Sequence, residues 1–185
     1  MCRAELNSHA DTCGVGSTAR VIEYTGQTVE VSGFATSMDS IKNVPVVKAA
    51  LAYNDPSTGE TIILVLNQTL YFGDDLPHVL LNPNQLCSHS IVVNDTPQHL
   101  SDKSSHSIKI EEEKIEIPLL LKGVISYFNV RTPTVEEIEN LSHVELTLSS
   151  EWDPHSSIFE ELEFDAQPLL KANISALNIE HVLIL

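Results

Sequence analysis

The first half of the chain alternates apolar and polar residues with the period of β-strands. Between residues 20 and 52, apolar side chains such as Val29 and Val31 are separated by polar ones, and β-branched residues are frequent. The run from Thr61 to Leu66 is almost entirely apolar, which indicates a strand covered on both faces. The pattern therefore predicts short strands joined by turns.

Turn-forming residues separate two of these predicted strands. They are Asp55, Pro56, Ser57, Thr58 and Gly59. Proline fixes φ near the value that a turn needs, and glycine accepts a positive φ, so the segment predicts a hairpin between two β-rich arms. Further along, residues 82–90 have the composition of a single helical turn that follows another apolar run.

A polar, Ser- and His-rich stretch at residues 96–107 marks a soft boundary. Beyond it, isoleucines alternate with charged residues and again predict strands. Thr134 followed by Glu137 forms the pattern of a capping box and predicts a short helix. Residues 159–165 fit either a solvated helix face or an acidic, aromatic segment that binds a partner. The expected division is a domain at 5–97, a β-rich extension at 98–150 and an acidic, apolar segment at 151–185.

Charge and cysteine content narrow the function classes. The 185 residues include 26 acidic and 10 basic side chains, and the formal net charge of −16 disfavours nucleic acid and anionic membranes as partners. Three scattered cysteines predict no disulfide framework, which suits an intracellular compartment, and Cys13 is expected to pack as a small apolar residue. The eight histidines show no zinc-ligand spacing, so neither a metal site nor a cofactor is predicted.

Two short motifs carry the candidate chemistry. Residues 6–12 read Leu-Asn-Ser-His-Ala-Asp-Thr, and residues 79–86 read Val-Leu-Leu-Asn-Pro-Asn-Gln-Leu. The first resembles the active-site strand and turn of retropepsin-like aspartic proteases, particularly those of copia-type retrotransposon polyproteins. In that family the pattern begins with an apolar residue followed by Asp. The next position is Ser or Thr, the one after it is usually Gly, and Ala follows. The second motif resembles the family's later element of two leucines, a short turn and Gln-Leu.

The resemblance covers residues 5–95 and implies a fold, an activity and a set of site residues. The implied fold is an all-β, retropepsin-like (acid protease) barrel with a flap hairpin, followed here by a β-rich C-terminal extension with one short helix. The implied activity is cleavage of the parent polyprotein by a homodimer, in the cytoplasm or within a virus-like particle. The implied site residues are Asn7 at the position of the catalytic Asp; Ser8, His9 and Ala10 in the active-site turn and dimer contact; Asp11 and Thr12 in substrate binding; Asp55, Pro56, Ser57, Thr58 and Gly59 in the flap; and Leu80, Leu81 and Asn82 in the second motif.

Asn7 and His9 depart from the family pattern. Each subunit of such a dimer supplies one carboxylate, and the two carboxylates share a proton during peptide hydrolysis. An amide neither ionises nor accepts a proton near neutral pH, so we expect little or no hydrolysis by this sequence. His9 stands where the family usually has glycine. Two alternatives to a protease remain, namely a dimer that binds extended peptides without cutting them and a structural domain of an assembly polyprotein.

Overall fold

The computed structural model describes residues 2–33, 35 and 37–166, and within these the chain is mostly β with few helices. The predicted all-β class is confirmed. The chain divides into two compact units, one running to Trp152 and the other beginning at Asp153. In the second unit the described regular element is helix α3, Ile158–Ala166, and residues 167–185 of the expected C-terminal segment lie outside the described residues.

The first unit contains the strands and two short helices. The strands are β1 (Cys2–Leu6), β2 (Gly14–Val15), β3 (Arg20–Val31), β4 (Ile41–Asn54), β5 (Thr61–Tyr71), β6 (Val79–Leu81), β7 (Val92–Asn94), β8 (Ser107–Ile110), β9 (Ile115–Pro118), β10 (Leu120–Lys122), β11 (Ile125–Val130) and β12 (His143–Glu145). The helices are α1 (Pro83–Cys87) and α2 (Val135–Asn140). Residues 73–75 and 98–100 form 3₁₀ turns.

Most strands belong to one mixed sheet. Its order is β10-β11-β1-β6-β2-β5-β4-β3, and β12 pairs with β5 beside this path. Strand β1 is antiparallel to β11 and parallel to β6, and β5 is parallel to both β2 and β12. Strands β7, β8 and β9 form a smaller antiparallel sheet.

The expected boundary at residue 97 falls inside the first compact unit. Strand β11 pairs with β1 along Cys2–Glu5, and β12 pairs with β5 along Ile63–Val65. Both pairings join the expected 98–150 extension to the expected 5–97 domain. Because separated strands of a sheet satisfy each other's backbone groups, the two parts are stabilised together.

A shared apolar core joins the two sheets. Its fully buried residues include Leu64 and Leu66 of β5, Leu81 of β6, and Ile108 and Ile117 of the smaller sheet. The burial of β5 on both faces matches its apolar sequence. Tight packing at one end of the sheet also restricts Gly16, since a Cβ there would lie 1.9 Å from the carbonyl oxygen of Leu76.

Local signals in the sequence predicted the helices of the first unit. The Thr134 side chain accepts from the Glu137 backbone N–H, and the Glu137 carboxylate accepts from the Thr134 backbone N–H, which confirms the capping box at the start of α2. The predicted helical turn after Leu81 is α1. None of the helices in the described residues is long and apolar enough to cross a membrane.

Candidate functional site

Asn7 lies at the end of β1, beside the end of β6. The parallel register pairs Leu6 with Leu81, and the Asn7 backbone N–H donates to the Leu81 carbonyl at 2.9 Å. The Asn7 side-chain Oδ1 accepts from the His9 backbone N–H at 3.0 Å, which is the local bond of an Asx turn. Asn7 is half-buried, and it is the first residue of the loop that leads from β1 to β2.

The site loop, defined as residues 7–13, exposes its middle and buries its end. Ser8, His9 and Asp11 are exposed, whereas Ala10 and Thr12 are half-buried. The loop then enters β2 through the buried Cys13. The exposed hydroxyl and imidazole side chains are accessible from solvent at the turn itself.

The second motif contacts the site loop directly. Leu80 and Leu81 belong to β6, and Asn82 caps the N-terminus of α1, where its Oδ1 accepts from the Gln85 backbone N–H at 2.7 Å. The Asn82 Nδ2 group donates to the Ala10 carbonyl. The structure therefore brings together the two stretches that the sequence singled out, which are about 75 residues apart in the chain.

Sequence reasoning missed Gln85 as a site residue. Its side-chain Oε1 accepts from the Cys13 backbone N–H at 2.8 Å, and its Nε2 donates to the Gln68 carbonyl at 3.0 Å. The available signal was the spacing Asn82-x-x-Gln85, which matches the N-cap and N3 positions of a capping box. Here the glutamine side chain reaches the site loop and β5 instead of returning to the N-cap.

The buried Cys13 packs within this network as the sequence predicted. Burial raises the pKa of its thiol to about 12, although the N–H of Asn82 that donates to Sγ at 3.2 Å opposes this rise. A thiol with such a pKa is protonated at neutral pH and is a poor nucleophile. The Cys13 carbonyl accepts from the Thr69 hydroxyl and from the Leu70 backbone N–H, each at 2.9 Å.

A segment from the second half of the unit also reaches the site loop. The Thr147 hydroxyl accepts from the Asn67 backbone N–H at 2.8 Å and donates to the Asn67 carbonyl at 2.7 Å. The Asn67 Nδ2 group donates to the Thr147 carbonyl at 2.8 Å. Further along, the Trp152 indole N–H donates to the Asp11 carbonyl at 3.0 Å. Thr147 therefore joins this segment to β5 and Trp152 joins it to the site loop, which no local sequence pattern indicated.

The Asp55–Gly59 segment forms the predicted turn, at the far end of β5 from β2. The Gly59 N–H donates to the Asp55 carbonyl, and the Asp55 carboxylate accepts from the hydroxyl and the N–H of Ser57. The two bonds from Ser57 lower the pKa of the Asp55 carboxyl, and the bond from the hydroxyl contributes more than the bond from the N–H. Strand β5 pairs with β2 at Leu70, nine residues after Thr61, or about 30 Å along an extended strand.

A different hairpin extends beyond the β2 end of β5. The pairing of β4 with β5 begins at Val46, so residues 41–45 of β4 pair with β3 alone among the described residues. We call residues 25–33, 35 and 37–45 the β3–β4 arm. Its root packs Val44 and Val46 against Leu70, while nearly all of β3 is exposed.

Comparisons with known proteins found no matching family model, no matching curated protein and no matching solved structure. Among residues 2–33, 35 and 37–166, no group of three or more His, Cys, Asp or Glu side chains is arranged to hold a metal ion.

Proposed function

We propose that residues 2–152 form a retropepsin-like aspartic protease domain of a copia-type polyprotein, in which Asn7 replaces the water-activating aspartate. The observation that carries the proposal is the parallel pairing of β1 with β6, joined at its end by the Asn7 N–H and the Leu81 carbonyl. This pairing supports the proposal because it joins the two motifs on which the family resemblance rests. Polypeptide in extended form is the proposed substrate.

A homodimer completes the proposed site. The chain supplies one Asn7, whereas the proton-sharing chemistry of this enzyme class needs two carboxyl groups. A two-fold axis through the site loop brings the same surface of both subunits together. The exposure of Ser8 and His9 supports this arrangement, since both side chains are accessible to a second copy.

The side chain at position 7 decides whether the proposed dimer hydrolyses peptides. An aspartate pair takes a proton from water while it donates one to the peptide carbonyl, and a pair of asparagines does neither. Because Asn7 Oδ1 accepts from the His9 N–H, an aspartate can accept the same bond without changing the turn. Replacement of Asn7 by aspartate is therefore expected to restore catalysis and preserve the fold.

We assign the covering element of the proposed site to the β3–β4 arm and not to the Asp55–Gly59 turn. The arm begins beside Leu70, the residue whose N–H donates to the Cys13 carbonyl at the end of the site loop. The Asp55–Gly59 turn lies about 30 Å further along β5. An exposed two-stranded arm also offers backbone groups that can pair with an extended peptide.

The test compares the Asn7 protein with its Asn7→Asp variant. Cleavage of an unfolded protein substrate is measured between mildly acidic and neutral pH, with and without a statine-type inhibitor. Asn129→Asp, an exposed amide on β11, is the matched control because it adds the same charge away from the loop. We expect inhibitor-sensitive cleavage from Asn7→Asp alone.

A peptide-binding dimer is the second candidate, and the presence of Asn7 itself favours it. An amide dyad retains the hydrogen-bonding capacity to hold a peptide carbonyl but has no acid–base chemistry. This candidate predicts saturable binding of unstructured peptide by the Asn7 protein, with no new termini. If Asn7→Asp is a folded dimer that fails to cut, the protease proposal is overturned. Dimerisation without peptide binding would instead favour a structural role.

A further inference from the structure

Two buried amide side chains connect the site loop to the rest of the first unit. Asn82 is 2% exposed and Gln85 is 1% exposed. Between them they bond the Ala10 carbonyl and the Cys13 N–H of the loop, the first turn of α1, and the Gln68 carbonyl of β5. Buried polar groups are costly unless they are paired, so the four bonds fix both side chains in one arrangement.

We infer that Gln85 is a positioning residue, which sets the conformation of the site loop and hence the place of the side chain at position 7. As far as catalysis is concerned, this inference rests on the proposed function. The hydrogen bonds of the Gln85 side chain go to Cys13 and Gln68, not to Asn7. It acts through the Cys13 backbone at one end of the loop, while the Leu81 carbonyl holds the Asn7 N–H at the other end.

The geometry explains why an amide is needed at position 85. The site loop presents a donor, the Cys13 N–H, whereas β5 presents an acceptor, the Gln68 carbonyl. A side chain that satisfies both must accept and donate at the same time. Glutamine does so at any pH, whereas an ionised carboxylate only accepts and an apolar side chain does neither.

The Gln68 carbonyl needs this donor because β5 contains a bulge at that point. The register steps from Val47 with Thr69 to Ala49 with Leu66, so two residues of β5 oppose one of β4. Gln68 has a φ of 51°. A bulge removes ladder hydrogen bonds, and the Gln85 Nε2 group provides the bulged residue's carbonyl with a partner. The same side chain thus links the bulge to the site loop.

Two substitutions separate the donor and acceptor roles. Gln85→Met keeps a similar length but removes both bonds. Gln85→Glu keeps the acceptor, but it can donate to the Gln68 carbonyl only while the introduced carboxyl is protonated, and burial favours that form. Asn84→Asp is the matched control, because it makes the same amide-to-carboxyl change at an exposed position of α1.

The first measurement uses hydrogen exchange by NMR in the Asn7 protein, where no catalysis is involved. The exchange rate of the Cys13 amide is compared with that of Leu64, a core amide of β5 that reports global unfolding. In Gln85→Met we expect the Cys13 rate, relative to Leu64, to rise by about tenfold or more. An unchanged ratio in folded Gln85→Met would overturn the inference, and Asn84→Asp is expected to leave it unchanged.

The second measurement is the pH profile of kcat/KM in the Asn7→Asp background. We expect Gln85→Glu to lose activity as pH rises through the pKa of the introduced carboxyl, with KM changed by less than about threefold. The neighbouring Cys13 thiol does not titrate in this range, since burial raises its pKa to about 12. A profile identical to that of the parent would contradict the positioning role.

The two measurements separate the inference from the proposed function. If Asn7→Asp never cleaves but Gln85→Met still loosens the Cys13 amide, the proposed function fails and the structural basis of the inference stands. If Asn7→Asp cleaves and Gln85→Met leaves both the exchange ratio and kcat unchanged, the proposed function stands and the inference fails.

Discussion

The site loop ends beside Leu70 and the β3–β4 arm begins there, but the two are stabilised in different ways. The loop is fixed by buried side-chain bonds from Asn82 and Gln85, whereas the arm beyond Val46 is supported by the pairing of β3 with β4. A position fixed by many buried contacts resists displacement, and an exposed hairpin opens at lower free energy. The site loop is therefore the more rigid of the two neighbours, and the arm is the more easily displaced.

The largest effect is expected from alanine at Gly16, which follows β2, with alanine at Gly33 in the arm as the comparison. At Gly16 a Cβ would lie 1.9 Å from the Leu76 backbone oxygen, so Gly16→Ala is expected to cost about 4 kcal/mol of the free energy of unfolding. At Gly33 in the arm, the Cβ would meet the Met38 side chain, which is 51% exposed and able to move. We therefore expect Gly33→Ala to lose less free energy of unfolding than Gly16→Ala. Urea unfolding of both variants measures the two losses, and equal losses would contradict the prediction.

The next effect sharpens the role of the segment that follows β12. Thr147→Val keeps the side-chain shape but leaves the Asn67 N–H and carbonyl without their hydroxyl partner, at a cost of about 2 kcal/mol. Thr147→Ser keeps the hydroxyl and is expected to lose about 1 kcal/mol for one methyl group. Urea midpoints at constant m-value measure both variants. A Thr147→Val variant as stable as the parent would show that the hydrogen bonds of the Thr147 hydroxyl to Asn67 contribute nothing to stability.

A smaller, pH-dependent effect is expected from the exposed ion pair between Arg131 and Glu137. It tests whether an exposed contact contributes to the free energy of unfolding. The Arg131 guanidinium, and next the Thr134 N–H, lower the pKa of Glu137 to about 2. Since the folded-state pKa is below the unfolded one, this stabilisation is present above the ordinary Glu value and lost as pH falls towards 2. We expect Arg131→Gln to raise the Glu137 pKa, as measured by NMR titration. We also expect its free energy of unfolding, measured in urea, to fall less than that of the parent as pH falls towards 2.

The control for this prediction is Lys122→Gln, which removes a positive charge from exposed β10. It is expected to leave the Glu137 titration in place. An equally reduced fall in the free energy of unfolding in both variants would attribute the effect to net charge instead of the hydrogen-bonded pair.

The smallest change in stability is expected in the arm. Ile41→Thr replaces an exposed apolar residue and should alter the free energy of unfolding by less than about 0.5 kcal/mol. If the arm covers the site, the same variant in the Asn7→Asp background binds a statine-type inhibitor about threefold more weakly. Val124→Thr, 96% exposed at the β10–β11 turn, should change neither quantity. Unchanged inhibitor binding by Ile41→Thr would count against the arm.

Local sequence signals predicted the features that depend on residues close together in the chain. The capping box at Thr134, the turn at Asp55–Gly59 and the burial of β5 all depend on residues within a few positions of one another. Backbone sterics and short-range hydrogen bonds are enough to produce them. The same signals did not identify the partners of Gln85, because the Cys13 N–H lies in the site loop and the Gln68 carbonyl in a bulge of β5.

Long-range pairings were beyond the reach of the sequence pattern. The polar stretch at residues 96–107 resembles a boundary, yet β11 pairs with β1 and β12 with β5 across it. Alternation of apolar and polar residues marks a strand but not its partner, and many pairings satisfy the same pattern. The compact unit extends to Trp152 because of these long-range strand pairings, which the alternation of apolar and polar residues does not specify.

Amino-acid identity alone sets the chemistry of position 7, because an asparagine side chain carries no titrating proton wherever it lies. The residue pattern also indicates where strands, turns and the capped helix form. Long-range packing places the site loop against Asn82 and Gln85, brings Thr147 to Asn67, and sets which hairpin lies beside the site loop. The physical reason is that buried polar groups far apart in the chain find their partners only when the sheets have packed into a common core.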